Sequence, residues 1–201
     1  MKKLLIIFLL LPVLLLGQTT EELDFITPFH DGVAAVKKGN FWGFINEKGH
    51  VIIDFRDDLV STEINGYKYP IFKNNRCLIS EVKNGIIYFG YIDKTGKTVI
   101  EPKFLNAQNF DSNKTLALHL LKEELGNNEV LGKNVVNYRY YEVTIDIDGT
   151  VENYLNPKGT NIVLDKKFIR TLPEITSKQI SDNLYAVKVN NNKWKLVSVE
   201  Y

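Results

Sequence analysis

The sequence predicts an all-β protein built of tandem β-meander or hairpin repeats, arranged as an open stack or as a propeller-like ring. Three observations carry this prediction. Residues Phe41-Trp42-Gly43-Phe44-Ile45-Asn46-Glu47-Lys48-Gly49 recur in altered spelling as Tyr88-Phe89-Gly90-Tyr91-Ile92-Asp93-Lys94-Thr95-Gly96. Each copy is an aromatic pair, a glycine, two apolar residues and a polar turn closed by glycine. The apolar runs around these copies have the length of strands, and they are separated by hairpin punctuation such as Gly39-Asn40, Lys48-Gly49 and Asn84-Gly85. Self-similarity of this kind marks architectures in which a unit buries its apolar face against its neighbour.

At the start of the chain, Met1-Lys2-Lys3 supplies positive charge and Leu4 to Leu16 an apolar run of 13 residues interrupted by Pro12. Leu15-Leu16-Gly17 supplies a cleavage site before Gln18, so residues 1–17 read as a secretory signal peptide. A helix needs about 20 residues to span a bilayer, so no stable membrane insertion is expected. No cysteine near the cleavage site offers a point for lipid attachment. The mature chain, residues 18–201, has the length of a single domain, expected to bury about 70% of its unfolded surface.

Within that domain the units run over residues 29–70, 71–110, 111–165 and 176–201. The first holds the turn at Asp31-Gly32, a strand over Val33-Ala34-Ala35-Val36, the turn at Gly39-Asn40, the strand around Trp42, and a further strand from Gly49-His50-Val51-Ile52-Ile53. The second repeats the plan with Phe72 at its start, Cys77-Leu78-Ile79 in its first strand and Gly96-Lys97-Thr98-Val99-Ile100 leading away; Gly49 and Gly96 are 47 residues apart. Glu101-Pro102-Lys103-Phe104 is expected to end that strand, because proline cannot donate to a central ladder. Phe104, Ala107 and Phe110 then read as a short connector with one apolar side.

The third unit is degenerate. Asp111-Ser112-Asn113 stands for the first turn, Leu116-Ala117-Leu118 for the strand and Ile145-Asp146-Ile147-Asp148-Gly149-Thr150-Val151 for the last hairpin. The interval from Asp31 to Gly49 is 18 residues and that from Asp111 to Gly149 is 38, so about 20 residues are inserted, with Lys122 to Asn128 as a long hairpin tip. Leu118, Leu121 and Leu125 would also fit one helix face, but the repeat register favours a strand. In the fourth unit, Asp182-Asn183-Leu184-Tyr185-Ala186-Val187-Lys188 mirrors Asp31 to Lys37, and Asn191 to Val197 mirrors the stretch around Trp42. A truncated last unit is expected where an array is capped or a ring is closed.

These residues resemble the WG-repeat family, named for its tryptophan-glycine pair. The match is Asp31-Gly32-x-Ala34-x-Val36, Gly39-x-x-Trp42-Gly43-x-Ile45-Asn46 and Gly49-x-Val51-Ile52, with Gly90-Tyr91-Ile92-Asp93-Lys94-x-Gly96-Lys97-x-Val99-Ile100-x-Pro102 in the second copy. The third copy lacks both signature residues, and the fourth has Lys195 in place of the glycine. The resemblance implies an all-β repeat protein used in binding or surface interaction.

Composition narrows the chemistry. With 25 Lys+Arg against 24 Asp+Glu the formal net charge is +1, and no basic tract suits nucleic acid or an anionic membrane. The single Cys77 cannot form an internal disulfide and, within Cys77-Leu78-Ile79, reads as a buried, inert thiol. His30, His50 and His119 are scattered, without metal-ligand spacing. Asp146-Ile147-Asp148-Gly149 and Glu152 fail as a calcium loop, since the bidentate glutamate that ends an EF-hand loop would fall at Pro157; an Asp-Gly hairpin turn explains them. Asp57-Asp58 and Glu123-Glu124 are charge pairs on turns, and no nucleophile elbow, P-loop or dinucleotide fingerprint is present.

Trp42 and Gly43 then read as packing residues, the ring supplying roughly 1.5 to 3 kcal/mol when buried and the glycine allowing a close backbone approach or a bulge. The alternative is an exposed aromatic platform for a sugar or peptide, built from Trp42, Phe89, Tyr91 and the many tyrosines. The expectation is an exported, non-enzymatic binding module, periplasmic, cell-surface or extracellular, without cofactor or metal. Its partner is a protein that adds a strand at an uncovered edge, or a glycan or peptide held on an aromatic face; a hydrolase is the remaining alternative. Nothing in the composition sets an oligomeric state, and no individual binding residue is singled out.

Overall fold

Backbone conformation at the predicted turns follows their residue types. In the computed structural model, which describes residues 22–128, 133–169, 171–189 and 193–199, Asn84 and Gly85 both have positive φ, 53° and 78°, and close a two-residue hairpin between Lys83 and Ile86. That is the primed turn whose twist matches paired strands. Asn65-Gly66 does the same at φ 51° and 84°. The leader expected over residues 1–17 and the turn at Asn191-Asn192 lie outside the described residues.

The described residues form strands, turns and loops. The first sheet runs in chain order: β1 (Phe25–Ile26), β2 (Ala34–Lys38), β3 (Phe41–Ile45) and β4 (Val51–Arg56). A separate hairpin of β5 (Thr62–Ile64) and β6 (Tyr67–Tyr69) follows, where Phe25 packs between Tyr67, Tyr69 and Trp42 with ring centroids 6.0 to 6.4 Å away. The second sheet has eight antiparallel strands, β7 (Phe72–Lys73), β8 (Arg76–Lys83), β9 (Ile86–Ile92), β10 (Thr98–Ala107), β11 (Lys114–Asn128), β12 (Lys133–Asp146) and β13 (Val151–Tyr154) side by side, with β14 (Thr160–Ile162) also paired to β12; it curls into a half-barrel. A third sheet holds β15 (Lys178–Ser181), β16 (Leu184–Lys188) and β17 (Trp194–Ser198).

One register recurs four times. The pairs Lys37↔Trp42, Ser80↔Phe89, Leu118↔Glu142 and Lys188↔Trp194 occupy the same place in successive meanders. The next pairs along are Val36↔Gly43, Ile79↔Gly90, Ala117↔Val143 and Val187↔Lys195. The third unit therefore replaces tryptophan-glycine with Glu142-Val143, and the fourth keeps tryptophan but not glycine.

The turn that closes each hairpin is built locally and identically in three units. Asn46, Asp93 and Asp146 each accept the N–H of the residue two ahead on the side-chain Oδ1, at 3.0, 2.8 and 2.9 Å. Each also accepts a second N–H, four residues ahead, on the same atom. This is the Asx turn, in which a short polar side chain takes the place of a backbone acceptor.

Several expectations are corrected. β10 does not end at Pro102 but runs to Ala107, because a bulge between Ile100 and Phe104 places the proline where the ladder is already interrupted. Phe104 and Ala107 belong to that strand and to the core rather than to a connector, and Phe110 is buried with them. Lys122 to Asn128 is not a hairpin tip: it extends β11, paired with β12 out to Asn128↔Lys133, so Glu123-Glu124 sit in a strand. The first meander begins at Phe25, upstream of Phe29. Among the described residues the array is open, since β15–β17 form their own sheet and pair with no strand of β1–β4.

Candidate functional site

Each meander has a front face, toward the next unit, and a rear face. Alternation along a strand sets the assignment: residues directly opposite each other in a ladder share a face. Val33, Ala35, Phe44 and Ile53 on the front of the first unit form one core with Leu59, Phe72, Cys77, Ile79 and Ile92 on the rear of the second. Leu78, Phe89, Tyr91 and Ile100 on the second unit's front pack with Ala117, Tyr141, Val143 and Ile145 on the third unit's rear. Leu116 and Leu155 of the third pack with Tyr185, Val187 and Val199 of the fourth.

The junctions between units are locked in matching ways. Arg56 Nη1 donates to Gly96 O at 2.9 Å, and Lys103 Nζ donates to Gly149 O at 3.1 Å, so a cation on one unit's fourth strand reaches a turn carbonyl of the next. Arg56 is oriented by Asp58, whose two carboxylate oxygens accept Nε at 2.5 Å and Nη2 at 2.6 Å; this pairing raises the guanidinium's pKa. First turns also align: Asp31 Oδ2 accepts Asn75 N at 2.6 Å, and Asn74 Nδ2 donates to Ser112 O and Asn113 Oδ1. Where the third unit lacks the tryptophan, Glu142 bonds forward instead. Its Oε1 accepts Thr176 N at 3.0 Å and Thr176 Oγ1 at 2.8 Å, and its Oε2 accepts Ser177 N at 2.8 Å.

At the fourth unit this pattern meets solvent. Ala35↔Phe44, Leu78↔Tyr91, Leu116↔Thr144 and Ala186↔Leu196 are equivalent front-face pairs. Phe44, Tyr91 and Thr144 are each at most 1% exposed, whereas Leu196 is 63% exposed. Trp194, the counterpart of Trp42 and Phe89, is 48% exposed with Lys178 Nζ 5.2 Å from its ring centre. β17 is also the one third strand without a fourth strand beside it among the described residues; β3, β9 and β12 pair with β4, β10 and β13. Val199 N donates to Asn183 O and Lys193 O accepts from Val189 N, so odd-numbered residues of β17 face β16. The N–H and C=O groups of Trp194, Leu196 and Ser198 point to the open edge.

The other residues singled out from sequence are dispersed. Phe89 and Tyr91 are buried, Tyr91 donating its hydroxyl to Gln108 O at 2.5 Å, so they form no exposed platform with Trp42. Trp42 is half-buried against the first core, with Lys37 Nζ 5.7 Å from its ring centre. Gly43 is at a close backbone approach, as expected of it, and Gly90 repeats the arrangement: a β-carbon on Gly43 would sit 2.8 Å from Ile53 O, and one on Gly90 would meet Ile100 O and, at 2.7 Å, Pro102 N. Cys77 is fully buried, and burial pushes its thiol pKa far up. His30 faces the Tyr69 hydroxyl at 3.3 Å, His50 is exposed and His119 sits among Phe104 and Tyr154. Among the described residues no three His, Cys, Asp or Glu side chains converge on a metal-sized point. An open cleft of about 510 Å³ lies between the turn at 155–160 and β16–β17, with Lys158, Lys188 and Lys195 on its walls.

The model of the WG containing repeat matches residues 22–40, 42–77 and 89–118. No curated protein and no solved structure matches the chain significantly. The family match stops at the long β11–β12 hairpin, although the strand register continues beyond it into the third and fourth units. The WG containing repeat is thus matched three times within residues 22–118, the stretch that holds the first two meanders and the start of the third.

Proposed function

We propose that this protein is an exported, non-enzymatic interaction module that receives a strand from a protein partner at the open edge of β17. The observation that carries this reading is the position of that edge. A third strand is interior in the other meanders, and here, with no strand beside it among the described residues, Trp194, Leu196 and Ser198 turn their backbone groups to the outer edge. Main-chain hydrogen bonds supply affinity in strand addition, and alternate side chains supply selectivity. The edge at β4 is a poorer template, because it is bulged and carries Asp54 and Arg56. Export rests on Met1-Lys2-Lys3 and the apolar run that follows.

The test is capture from envelope and culture-supernatant extracts of the source cell, using protein expressed from the full-length sequence and processed by that cell. Ser198→Pro removes an outward N–H without touching the β16–β17 ladder, so it should abolish capture of the partner, whereas Ser198→Thr should retain it. Equal capture by both variants would sink strand addition. Enrichment of polysaccharide alone would move the assignment to glycan recognition.

A further inference from the structure

The cleft between the turn at 155–160 and β16–β17 opens where the fourth unit departs from the repeat. The pairs Val36↔Gly43, Ile79↔Gly90, Ala117↔Val143 and Val187↔Lys195 are equivalent, so Lys195 stands where two units have glycine and one has valine. Backbone of the neighbouring fourth strand fills the space over Gly43 and Gly90, and Val143 is buried in the core shared with the second unit. β17 has no fourth strand beside it among the described residues, and the exposed Lys195 lines the space left open. Its volume of about 510 Å³ lies within the range of small-molecule sites, about 300–1,000 Å³. The floor is apolar and fixed, since Leu155 and Val187 belong to the core between the third and fourth units. The turn that carries Lys158 is held tightly: Gly159 N donates to Asn156 O at 3.1 Å, and a β-carbon on Gly159 would come within 2.7 Å of both Arg139 and Tyr141.

Charge around the cleft has one sign. Residues 183–199 hold Lys188, Lys193 and Lys195 with no Asp or Glu, and residues 155–164 hold Lys158 with none. At the other junctions lysines are satisfied across the units: Lys94 Nζ lies 3.3 Å from Asp31 Oδ1, and Lys103 Nζ bonds Gly149 O. Among the described residues none of Lys158, Lys188 and Lys195 forms an ion pair. In a chain whose charges otherwise balance, three such cations on one concave wall select for negative charge. We propose that the cleft binds an acidic sugar, carboxylated or phosphorylated, with its anionic oxygens on the lysines and its ring over Leu155 and Val187. Asn156 and Thr160, also on the walls, offer neutral donors and acceptors to its hydroxyl groups. The site lies on the side-chain face that Lys195 shares with Val187, separate from the backbone edge invoked above. Ser198→Pro leaves the three lysines in place, so failure of strand addition and failure of this site are read independently.

The test is isothermal titration calorimetry on protein expressed from the full-length sequence and processed by its cell. The probes are trigalacturonic acid and its fully methyl-esterified form, and glucose 1,6-bisphosphate and glucose. At least one charged probe should bind about tenfold or more tightly than its uncharged counterpart, with affinity falling as salt is raised. Which of the two binds tells carboxylate from phosphate. Lys195→Gln and Lys158→Gln should each weaken that binding by about tenfold, the loss expected for a hydrogen bond to a charged group. Lys195→Arg should retain it, and so should Lys48→Gln, which removes an exposed lysine from the last turn of the first unit. All three positions are exposed, and matching thermal melts check that the variants are folded. The proposal is overturned if neither charged probe outbinds its counterpart, or if both cleft variants bind like wild type. It is also overturned if Lys48→Gln loses as much as Lys195→Gln, which would mean diffuse surface charge rather than a site.

Discussion

The carbonyl oxygen of Ile100 occupies the space that a β-carbon on Gly90 would need, and Ile53 stands in the same relation to Gly43. The glycine of the tryptophan-glycine pair is therefore required by the bulge in the neighbouring fourth strand. Alanine at either position must push backbone, not a flexible side chain. Gly90→Ala should cost about 2–3 kcal/mol, at the upper end of overpacking effects. Gly43→Ala, which crowds one oxygen rather than a run of three backbone atoms, should cost less in the same urea denaturation series.

The turn glycines differ in a way that follows from the stacking. Gly49 and Gly149 have nearly the same φ, 77° and 79°, but a β-carbon on Gly49 would meet open space while one on Gly149 would meet Ile100 Cγ2 at 2.7 Å. Gly49→Ala should cost about 1 kcal/mol from backbone conformation alone. Gly149→Ala adds the clash with the unit before it and should be the more damaging. Equal effects on the unfolding midpoint would show that the junction packing contributes nothing.

An open array also predicts the result of truncation. Deleting residues 184–201 removes β16 and β17 and uncovers Leu116 and Leu155, but leaves the two cores shared by the first three units in place. A cooperative thermal transition with β-sheet circular dichroism should survive. Global loss of structure would instead mean that the last unit completes the fold, as a ring requires.

Acid should destabilise the fold through His119. Burial, reinforced by Lys103, lowers its pKa below the ordinary imidazole value of about 6.5. Between the lowered value and 6.5 the unfolded chain binds a proton that the folded one does not. Stability from this group is thus present above about pH 6.5 and falls as pH drops through that window. Comparing denaturation midpoints at pH 7.5 and 5.5 for wild type and His119→Gln checks this: the drop should shrink in the variant.

The legible parts of this protein are those whose cause is local. Asn84-Gly85 and Asn65-Gly66 announce primed turns because few other residues adopt positive φ cheaply, although only the first was read as a hairpin. The turns at Asn46, Asp93 and Asp146 are written in side chains that bond two and four residues ahead. Gly43, next to Trp42, is legible as a close approach or a bulge from the tryptophan-glycine pair itself. The strand through Pro102 could not be read in this way, since the bulge that tolerates it depends on where β9 and β11 lie.

What the sequence determined by itself is thus the all-β class, the repeat and the chemistry of its turns, because those depend on φ preferences and on spacing within a few residues. Only the tertiary structure decided which face each strand buries. Trp42, Phe89 and Trp194 occupy equivalent register positions, yet one is half-buried, one buried and one half-exposed. The bond from Arg56 to Gly96 spans 40 residues and those from Glu142 to Thr176 span 34, distances at which no local preference acts. Burial is a property of what comes to lie on the other side of a residue, and in a stacked array that is set by the next unit.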